Sequence, residues 1–345
     1  MKRVSIVGHF SFTHNSHDGQ TIKTRVFGDE VKRRCGESNV SFHDTESGWR
    51  FLLRLPLVAL KLVAGTKHIV MMPGVNGLRF IPFWLSLWNV LFGRSLHYVV
   101  IGGWLAEFTQ KHTFIRRILR RFSTIAVETE RLKCLLEEQG FANVVIMPNC
   151  KPLQIVSDDS MPDFDNSKPF PFCTFSRVIE EKGICDAIAA ISAYNARKGY
   201  VAAELDIYGQ VEDETWFDTI KKAFPEYVHY RGLINYSDTT SVLIGYYALL
   251  FPTFYPGECF AGTLIDAMAS GLPVIASDWH DNSQIVVDGQ TGLIFPTRNV
   301  DSLTDCIERM IEDSEMNKKM RINSLRMAGN YLPQSGFREV IDKFL

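Results

Sequence analysis

The stretch FPTFYPGECFAGTLIDAMASGLPVIASDWHDN, Phe251–Asn282, decides the fold. It opens on the end of an apolar run, Tyr247–Phe251, which Pro252 closes. A tight loop rich in Pro and Gly follows, Thr253–Gly257, with one carboxylate, Glu258, at its end. Across Phe260–Ser270 small and apolar residues recur at helical spacing, and Gly271 and Pro273 stop the helix. Pro273–Ser277 is a short, continuously apolar strand of the kind buried on both faces of a parallel sheet. Strand, loop, helix and strand make a βαβ unit. Its loop lies at the carboxyl end of a strand, where open α/β sheets bind ligands.

That geometry dictates chemistry. Ala261, Gly262 and Thr263 fall at the helix start, and their small side chains leave the unpaired N–H groups open to an anion. Those donors and the helix dipole together favour a phosphate. Glu258, just before the helix, can accept hydrogen bonds from hydroxyls, and Asp266, eight residues on, can meet a second hydroxylated part of the same ligand. A phosphate flanked by two polyols describes a sugar nucleotide.

The acid pair, the run Ala267–Ser277 (AMASGLPVIAS) and Asp288-Gly289-x-x-Gly292 resemble retaining glycosyltransferases of family 4, of the bacterial surface-polysaccharide type. The resemblance implies the two-domain GT-B fold, with Glu258 contacting the donor sugar and Asp266 holding the ribose. Four positions depart from the family pattern. Asp266 stands where Glu is usual and is one methylene shorter, Cys259-Phe260-Ala261 replaces Gly-Phe-Gly, and Gln284 stands where the family usually has Glu.

The 345 residues predict two domains, because single cores seldom grow past ~250–300 residues. A hydrophobic content of 46% with 22% charged residues excludes general disorder. Seven cysteines are odd in number, scattered and free of C-x-x-C spacing, which points to reduced thiols rather than disulfides or zinc. Residues 1–150 carry 20 Lys and Arg against 11 Asp and Glu, or +9; residues 151–345 carry 17 against 28, or −11, and the halves sum to the net −2. A basic first domain implies an anionic partner. Aromatic residues do not interleave with the basic ones as a nucleic-acid stacking platform requires, so an anionic membrane surface is expected and nucleic acid is not. No signal peptide is visible, and the longest uncharged apolar run, Phe80–Gly93, falls short of the ~18–20 residues of a span.

In the first half, Val4–Val7 is the first strand, Gly8–His17 a polar loop, and Thr24–Arg34 a helix with a basic surface. The segment Asp18–Thr24 (DGQTIKT) resembles the family's glycine-bearing loop, which implies that Gly19 approaches the donor phosphates and places Lys23 on the acceptor side. Val40–Phe42, His68–Met72, His97–Ile101, Ile125–Val127 and Val144–Met147 are further strands. Gly102 and Gly103 follow one of them and suit close approach of an acceptor. The family often has a His there, and this chain does not. Two apolar helical stretches, Trp49–Ala64 and Leu78–Phe92, and a basic amphipathic one, Thr113–Phe122, fit either interfacial membrane contact or core helices with a solvated basic face. In the first stretch Leu52, Leu53, Leu57, Leu60 and Val63 can share a face. Pro148, Asn149 and Pro152 resemble the family's exit into a linker, and Ser157–Lys168 has linker composition.

In the second half, the strand Phe170–Phe175 leads to Arg177 and Lys182 at the start of a helix, two cations suited to a diphosphate as a fork and a point charge. The resemblance assigns both to the donor diphosphate and the leaving group. Leu205–Gly209 is the next strand, with Gly209 on the donor side. Tyr227–Gly232 followed by Leu233 resembles the family's base-binding segment. Val300–Asp313, Glu315–Gly329 and Gly336–Leu345 are expected helices.

The expected architecture is therefore α/β, GT-B, with two Rossmann-like domains facing across a cleft. Residues 1–150 form the acceptor-side, membrane-facing domain, 151–330 the nucleotide-sugar domain, and 331–345 a helix returning to the first. The expected reaction is retaining, metal-independent transfer of a hexose or N-acetylhexosamine from a UDP-linked donor to a saccharide acceptor carried on a polyprenyl diphosphate. It needs no cofactor and takes place at the inner face of the cell membrane. Glu258, Arg177 and Lys182 are the catalytic set. A nucleotide-sugar epimerase or hydrolase of related GT-B fold, or a non-catalytic nucleotide- or glycan-binding subunit, are the alternatives.

Overall fold

The computed structural model describes residues 2–12, 19–164 and 169–344. Residues 13–18 of the expected polar loop and 165–168 of the expected linker lie outside the described residues. The chain divides into two compact units, Met1–Pro152 with Tyr331–Leu345, and Leu153–Asn330.

Unit 1 is built on six parallel strands: β1 (Lys2–Gly8), β2 (Val40–Asp44), β3 (Thr66–Met72), β4 (Ser95–Val99), β5 (Thr124–Val127) and β6 (Val144–Ile146). Their order across the sheet is β2-β1-β3-β4-β5-β6. The strands are apolar on both sides, and alternation sends successive residues to opposite layers. Ile69 and Met71 of β3 pack with the helices Trp49–Gly65, Ile81–Asn89 and Thr113–Leu119. Val70 and Met72 face the layer made by Phe27 of helix Gly19–Cys35 and by Phe337, Val340, Ile341 and Phe344 of the C-terminal segment.

Three helical expectations are revised by this packing. Helix Trp49–Gly65 buries Phe51, Leu55, Ala59, Leu62 and Val63, so of the expected face only Val63 is fully inward. Leu53 and Leu57 point to solvent at 72% and 67% exposure. The stretch Leu78–Phe92 is split into Val75–Leu78 and Ile81–Asn89, the second carrying proline in its first turn. Helix Thr113–Leu119 gives Ile115 and Leu119 to the core, as does Phe122 just beyond it, which leaves Phe114 as its one strongly exposed apolar side chain. Its apolar face is thus occupied by its own unit.

Unit 2 repeats the plan with β7 (Phe170–Phe175), β8 (Ala203–Tyr208), β9 (Val228–Gly232), β10 (Ala248–Phe251), β11 (Val274–Ser277) and β12 (Gly292–Phe295). The order is β12-β11-β10-β7-β8-β9, all parallel. The chain leaves β7 toward β8 on one side and later returns to β10 on the other. The strand order therefore reverses between β7 and β10, and that crevice at their carboxyl ends is where such sheets hold ligands. The deciding stretch forms β10, helix Gly262–Ala269 and β11, with Leu249 opposite Val274 and Phe251 opposite Ala276.

Candidate functional site

Two loops meet at the reversal point of unit 2. After β7 the chain makes a 3-10 turn, Glu180–Lys182, and enters helix Ile184–Lys198 through Gly183 in the left-handed region at φ +73°. A Cβ on Gly183 would lie 2.1 Å from the carbonyl oxygen of Pro252, in the loop after β10. Only glycine permits this approach. The two loops are then stitched at backbone level, with the Phe254 N–H donating to the Glu181 carbonyl at 2.8 Å.

This contact delivers Lys182 to Glu258. The ammonium and carboxylate form an ion pair, and both residues are more than nine-tenths buried. Thr253, fully buried, holds the carboxylate from the other side, its Oγ1 lying 3.0 Å from Glu258 Oε2 and accepting the Tyr255 N–H at 3.2 Å. The next strand fixes the loop in turn: Ser277 donates to the Thr253 carbonyl at 2.6 Å and the Trp279 indole to the Tyr255 carbonyl at 2.8 Å. Glu258 is thus set in place by packing before any ligand arrives.

Tyr255 gathers the cations. Lys182 Nζ lies 5.1 Å and Arg177 Cζ 4.9 Å from its ring centre, within range of cation–π attraction. Arg177 also pairs with Glu212 at 2.9 Å, and both side chains are 43% exposed. Such an exposed pair is worth at most ~1 kcal/mol, so a phosphate can displace the carboxylate at little cost. A cavity of about 410 Å³ opens beside Arg177, lined also by Ile179, Glu212, Trp216 and Tyr255.

Helix Gly262–Ala269 starts without a side-chain cap, its N-cap being Ala261. The N–H groups of Gly262 and Thr263 precede the first intrahelical bond and are positioned to meet an anion. The Thr263 hydroxyl is otherwise engaged, donating to the Phe175 carbonyl at the end of β7 at 2.8 Å, so it ties helix to sheet. Asp266 is buried in the second turn of that helix, and the Asp266 carbonyl accepts the Ser270 hydroxyl at 2.8 Å.

Two further expected donor-side positions, Gly209 and Leu233, follow β8 and β9, and Gly209 packs against the backbone of Ser176 and Arg177. Gly209 has φ +140°, and a Cβ there would sit 1.6 Å from the Ser176 carbonyl oxygen, so packing of β8 against the β7 loop demands glycine. Leu233 follows β9 and is 72% exposed. The remaining expected residues are in unit 1. Gly19 begins helix Gly19–Cys35 with open space where a Cβ would stand, so the local packing does not require glycine. Lys23 points inward: it is 3% exposed, pairs with buried Glu128 and reaches the Val100 carbonyl at 3.3 Å. It is therefore not presented to an acceptor. Gly102 is left-handed at φ +82° and, with Gly103, leads to Trp104. Unit 1 has its own reversal point between β1 and β3, and a cavity of about 460 Å³ lies there, lined by residues that include His9, Gln20, Gly48, Phe51 and Pro73–Gly77. Lys23, Gly102 and Gly103 do not line it.

Thr253 and Tyr255 are the site residues that sequence reasoning missed. The available signal was their position in the loop before Glu258.

Comparison with known proteins agrees with this fold. Residues 170–313 match the family described as Glycosyl transferases group 1. The GtfA subunit of UDP-N-acetylglucosamine–peptide N-acetylglucosaminyltransferase from Streptococcus pneumoniae is 27% identical over 230 residues, 63% of this chain and 43% of that protein. The capsular polysaccharide biosynthesis glycosyltransferase CapM of Staphylococcus aureus is 27% identical over 155 residues, 45% of this chain and 40% of that protein. The chain thus spans less than half the length of these relatives. Among solved structures, Anabaena HepE in complex with UDP superposes with a TM-score of 0.75 at 14% identity over 99% of each chain. The lipopolysaccharide outer core galactosyltransferase WaaB gives 0.74 at 15% identity over the whole of both. The fold is that of GT-B glycosyltransferases, and residues 170–313, the greater part of unit 2, match the group 1 family.

Proposed function

We propose that this chain is a retaining glycosyltransferase of family 4 that moves a hexose or N-acetylhexosamine from a UDP-linked donor to a saccharide acceptor. The carrying observation is the buried Lys182–Glu258 pair at the reversal point of unit 2, beside Arg177 and an uncapped helix start. The names of similar structures support the donor class: HepE is described with UDP, and pneumococcal GtfA with UDP and GlcNAc.

In this reading the donor diphosphate displaces Glu212 from Arg177 and takes the N–H groups of Gly262 and Thr263. The Lys182 ammonium has three donors, so it can hold Glu258 and a phosphate oxygen together. Glu258 accepts hydroxyl protons of the donor sugar, and Asp266 those of the ribose. The anomeric C–O bond to the diphosphate breaks while the acceptor oxygen bonds to the same face of that carbon. The acceptor proton passes to the departing diphosphate. Fixed positive charge stabilises the oxygen that leaves, and this clamp works without a divalent ion. The acceptor is a saccharide on a polyprenyl diphosphate, bound by unit 1 at the inner face of the cell membrane.

Thermal shifts of the pure chain against UDP, GDP, dTDP and CMP test the donor site. UDP should stabilise it, and Arg177→Ala should lose that stabilisation. No response to any nucleotide would refute the reading. Donor consumption at an equal rate without acceptor would make the protein a hydrolase or epimerase, and loss of transfer in EDTA restored by magnesium or manganese would overturn the metal-free clamp.

A further inference from the structure

Between Glu46 and Glu107 the sequence contains no Asp or Glu, while the same 60 residues, Ser47–Ala106, carry six Lys and Arg. In a chain with 39 carboxylates such a gap is a large local charge excess. The gap coincides with an apolar surface. Among the described residues thirteen large hydrophobic side chains are exposed, and eight of them lie between Trp49 and Leu91.

The packing explains which side chains these are. Helix Trp49–Gly65 buries Phe51, Leu55 and Ala59. Trp49, Leu53 and Leu57, four residues apart, consequently form an outward stripe at 66%, 72% and 67% exposure. Positions at this spacing share one helix face, and at 1.5 Å per residue the stripe runs about 12 Å. The neighbouring helix is fastened alongside, the Trp88 indole donating to the Pro56 carbonyl at 3.0 Å. It and the turn after it add Leu87, Val90 and Leu91, also exposed. Arg50, Arg54 and Lys61 are exposed on the first helix, and Arg50 lies over the Trp49 ring at 5.7 Å. Exposed apolar residues scattered singly need no explanation, but a contiguous patch edged by charges of one sign marks an interaction surface.

We propose that helices Trp49–Gly65 and Ile81–Asn89 of unit 1 form a docking face for an anionic lipid bilayer. Trp49, Leu53, Leu57 and Leu91 enter the interface while Arg50, Arg54 and Lys61 meet lipid phosphates. The arrangement is that of an interfacial amphipathic surface, in which apolar side chains sink to the acyl boundary and cations stay at the headgroups. Charge complementarity selects this occupant: a second copy of the chain would bring the same cations against themselves. The first turn of helix Trp49–Gly65 also supplies Phe51 and Leu52 to the 460 Å³ cavity of unit 1. Docking therefore sets that cavity at the bilayer surface, where a lipid-carried acceptor would be found. Only this last consequence rests on the glycosyltransferase reading.

The test is co-sedimentation of the full chain with phosphatidylcholine vesicles, with and without phosphatidylglycerol, at low salt. Wild type should sediment only with the anionic vesicles and be released by salt. Leu53→Glu/Leu57→Glu changes exposed positions, so the fold should persist by circular dichroism while partitioning falls at least about tenfold. Lys32→Gln, on helix Gly19–Cys35 in the opposite layer of the sheet, should stay within about twofold of wild type. Three results would overturn the proposal: no sedimentation with either vesicle, equal binding by the double-Glu variant, or a wild-type dimer in solution that this variant dissociates. A chain that docks yet ignores UDP would refute the proposed function and leave the docking face intact.

Discussion

Removing the Glu258 carboxylate tests stability and chemistry separately. Both Lys182 and Glu258 are more than nine-tenths buried, so Glu258→Ala strands an ammonium in a poorly solvated place and leaves the Thr253 hydroxyl only the Glu181 carbonyl, at 3.3 Å, as an acceptor. Breaking one side of a buried pair costs about 3–5 kcal/mol. Unit 2, Leu153–Asn330, is of a size for which each kcal/mol shifts the melting temperature by roughly 2–4 °C. The variant should therefore melt roughly 6–20 °C lower in calorimetry, and UDP release from a donor sugar should fall by about 10²–10³ in kcat. Glu258→Gln keeps an acceptor for both donors and should cost less stability than Glu258→Ala. In Lys182→Met/Glu258→Leu no charge is stranded, because apolar side chains of similar volume replace a buried pair at little or no net cost. That double variant should recover most of the lost stability and none of the activity. If Glu258→Ala melts with wild type, or the double variant is as unstable as the sum of its singles, the burial argument fails.

Other outcomes follow from single contacts. Gly209→Ala puts a Cβ 1.6 Å from the Ser176 carbonyl oxygen at φ +140° and should cost on the order of 3 kcal/mol or more, whereas Gly19→Ala, with open space around it, should stay within about 0.5 kcal/mol; urea unfolding measures both. Thr253→Val deprives Glu258 and the Tyr255 N–H of a buried partner and should cost about 1–3 kcal/mol in the same assay, with kcat reduced more than nucleotide affinity. His97, packed 3.3 Å from His68 and against Phe344, is pushed down to about 3 by burial, then by His68 and Lys343. Below the ordinary histidine value of about 6.5 the unfolded chain takes up a proton that the folded chain refuses, so this residue's contribution makes stability fall as pH drops from about 6.5 toward about 3. Between pH 7 and pH 5 wild type should lose up to about 2 kcal/mol more than His97→Leu in urea titrations; equal acid lability would remove His97 from the account.

What the sequence discloses and what it hides divide along a physical line. The unit β10, helix Gly262–Ala269, β11 is legible because each piece is local: a continuous apolar run, small residues at helical spacing, then Gly271 and Pro273. Lys182 and Glu258 are legible as residues because charged side chains beside strand ends are conspicuous, but their pairing is not. That contact spans 76 residues and depends on Gly183 fitting under the Pro252 carbonyl, which no periodicity encodes. The same holds for Lys23, whose partner Glu128 is 105 residues away and which therefore reads from sequence as an open cation when it is a buried one. Strand β12, Gly292–Phe295, escapes because four residues beginning with glycine carry too little pattern. Helix Trp49–Gly65 fails for the opposite reason. With Arg50, Arg54 and Lys61 confined to one narrow strip and Leu52, Leu53, Leu55, Leu57, Leu60 and Leu62 spread over the rest of the surface, more than one face satisfies the hydrophobic rule, and packing against Ile69 and Met71 selects the inward one. A helix with more apolar surface than its core accepts must leave the remainder in solvent. That surplus is the Trp49–Leu53–Leu57 stripe, and the absence of Asp and Glu from Ser47–Ala106 is a second, independent property of the same segment. Ambiguity in reading this helix and its outward apolar face thus have one cause, a composition that core packing alone does not require.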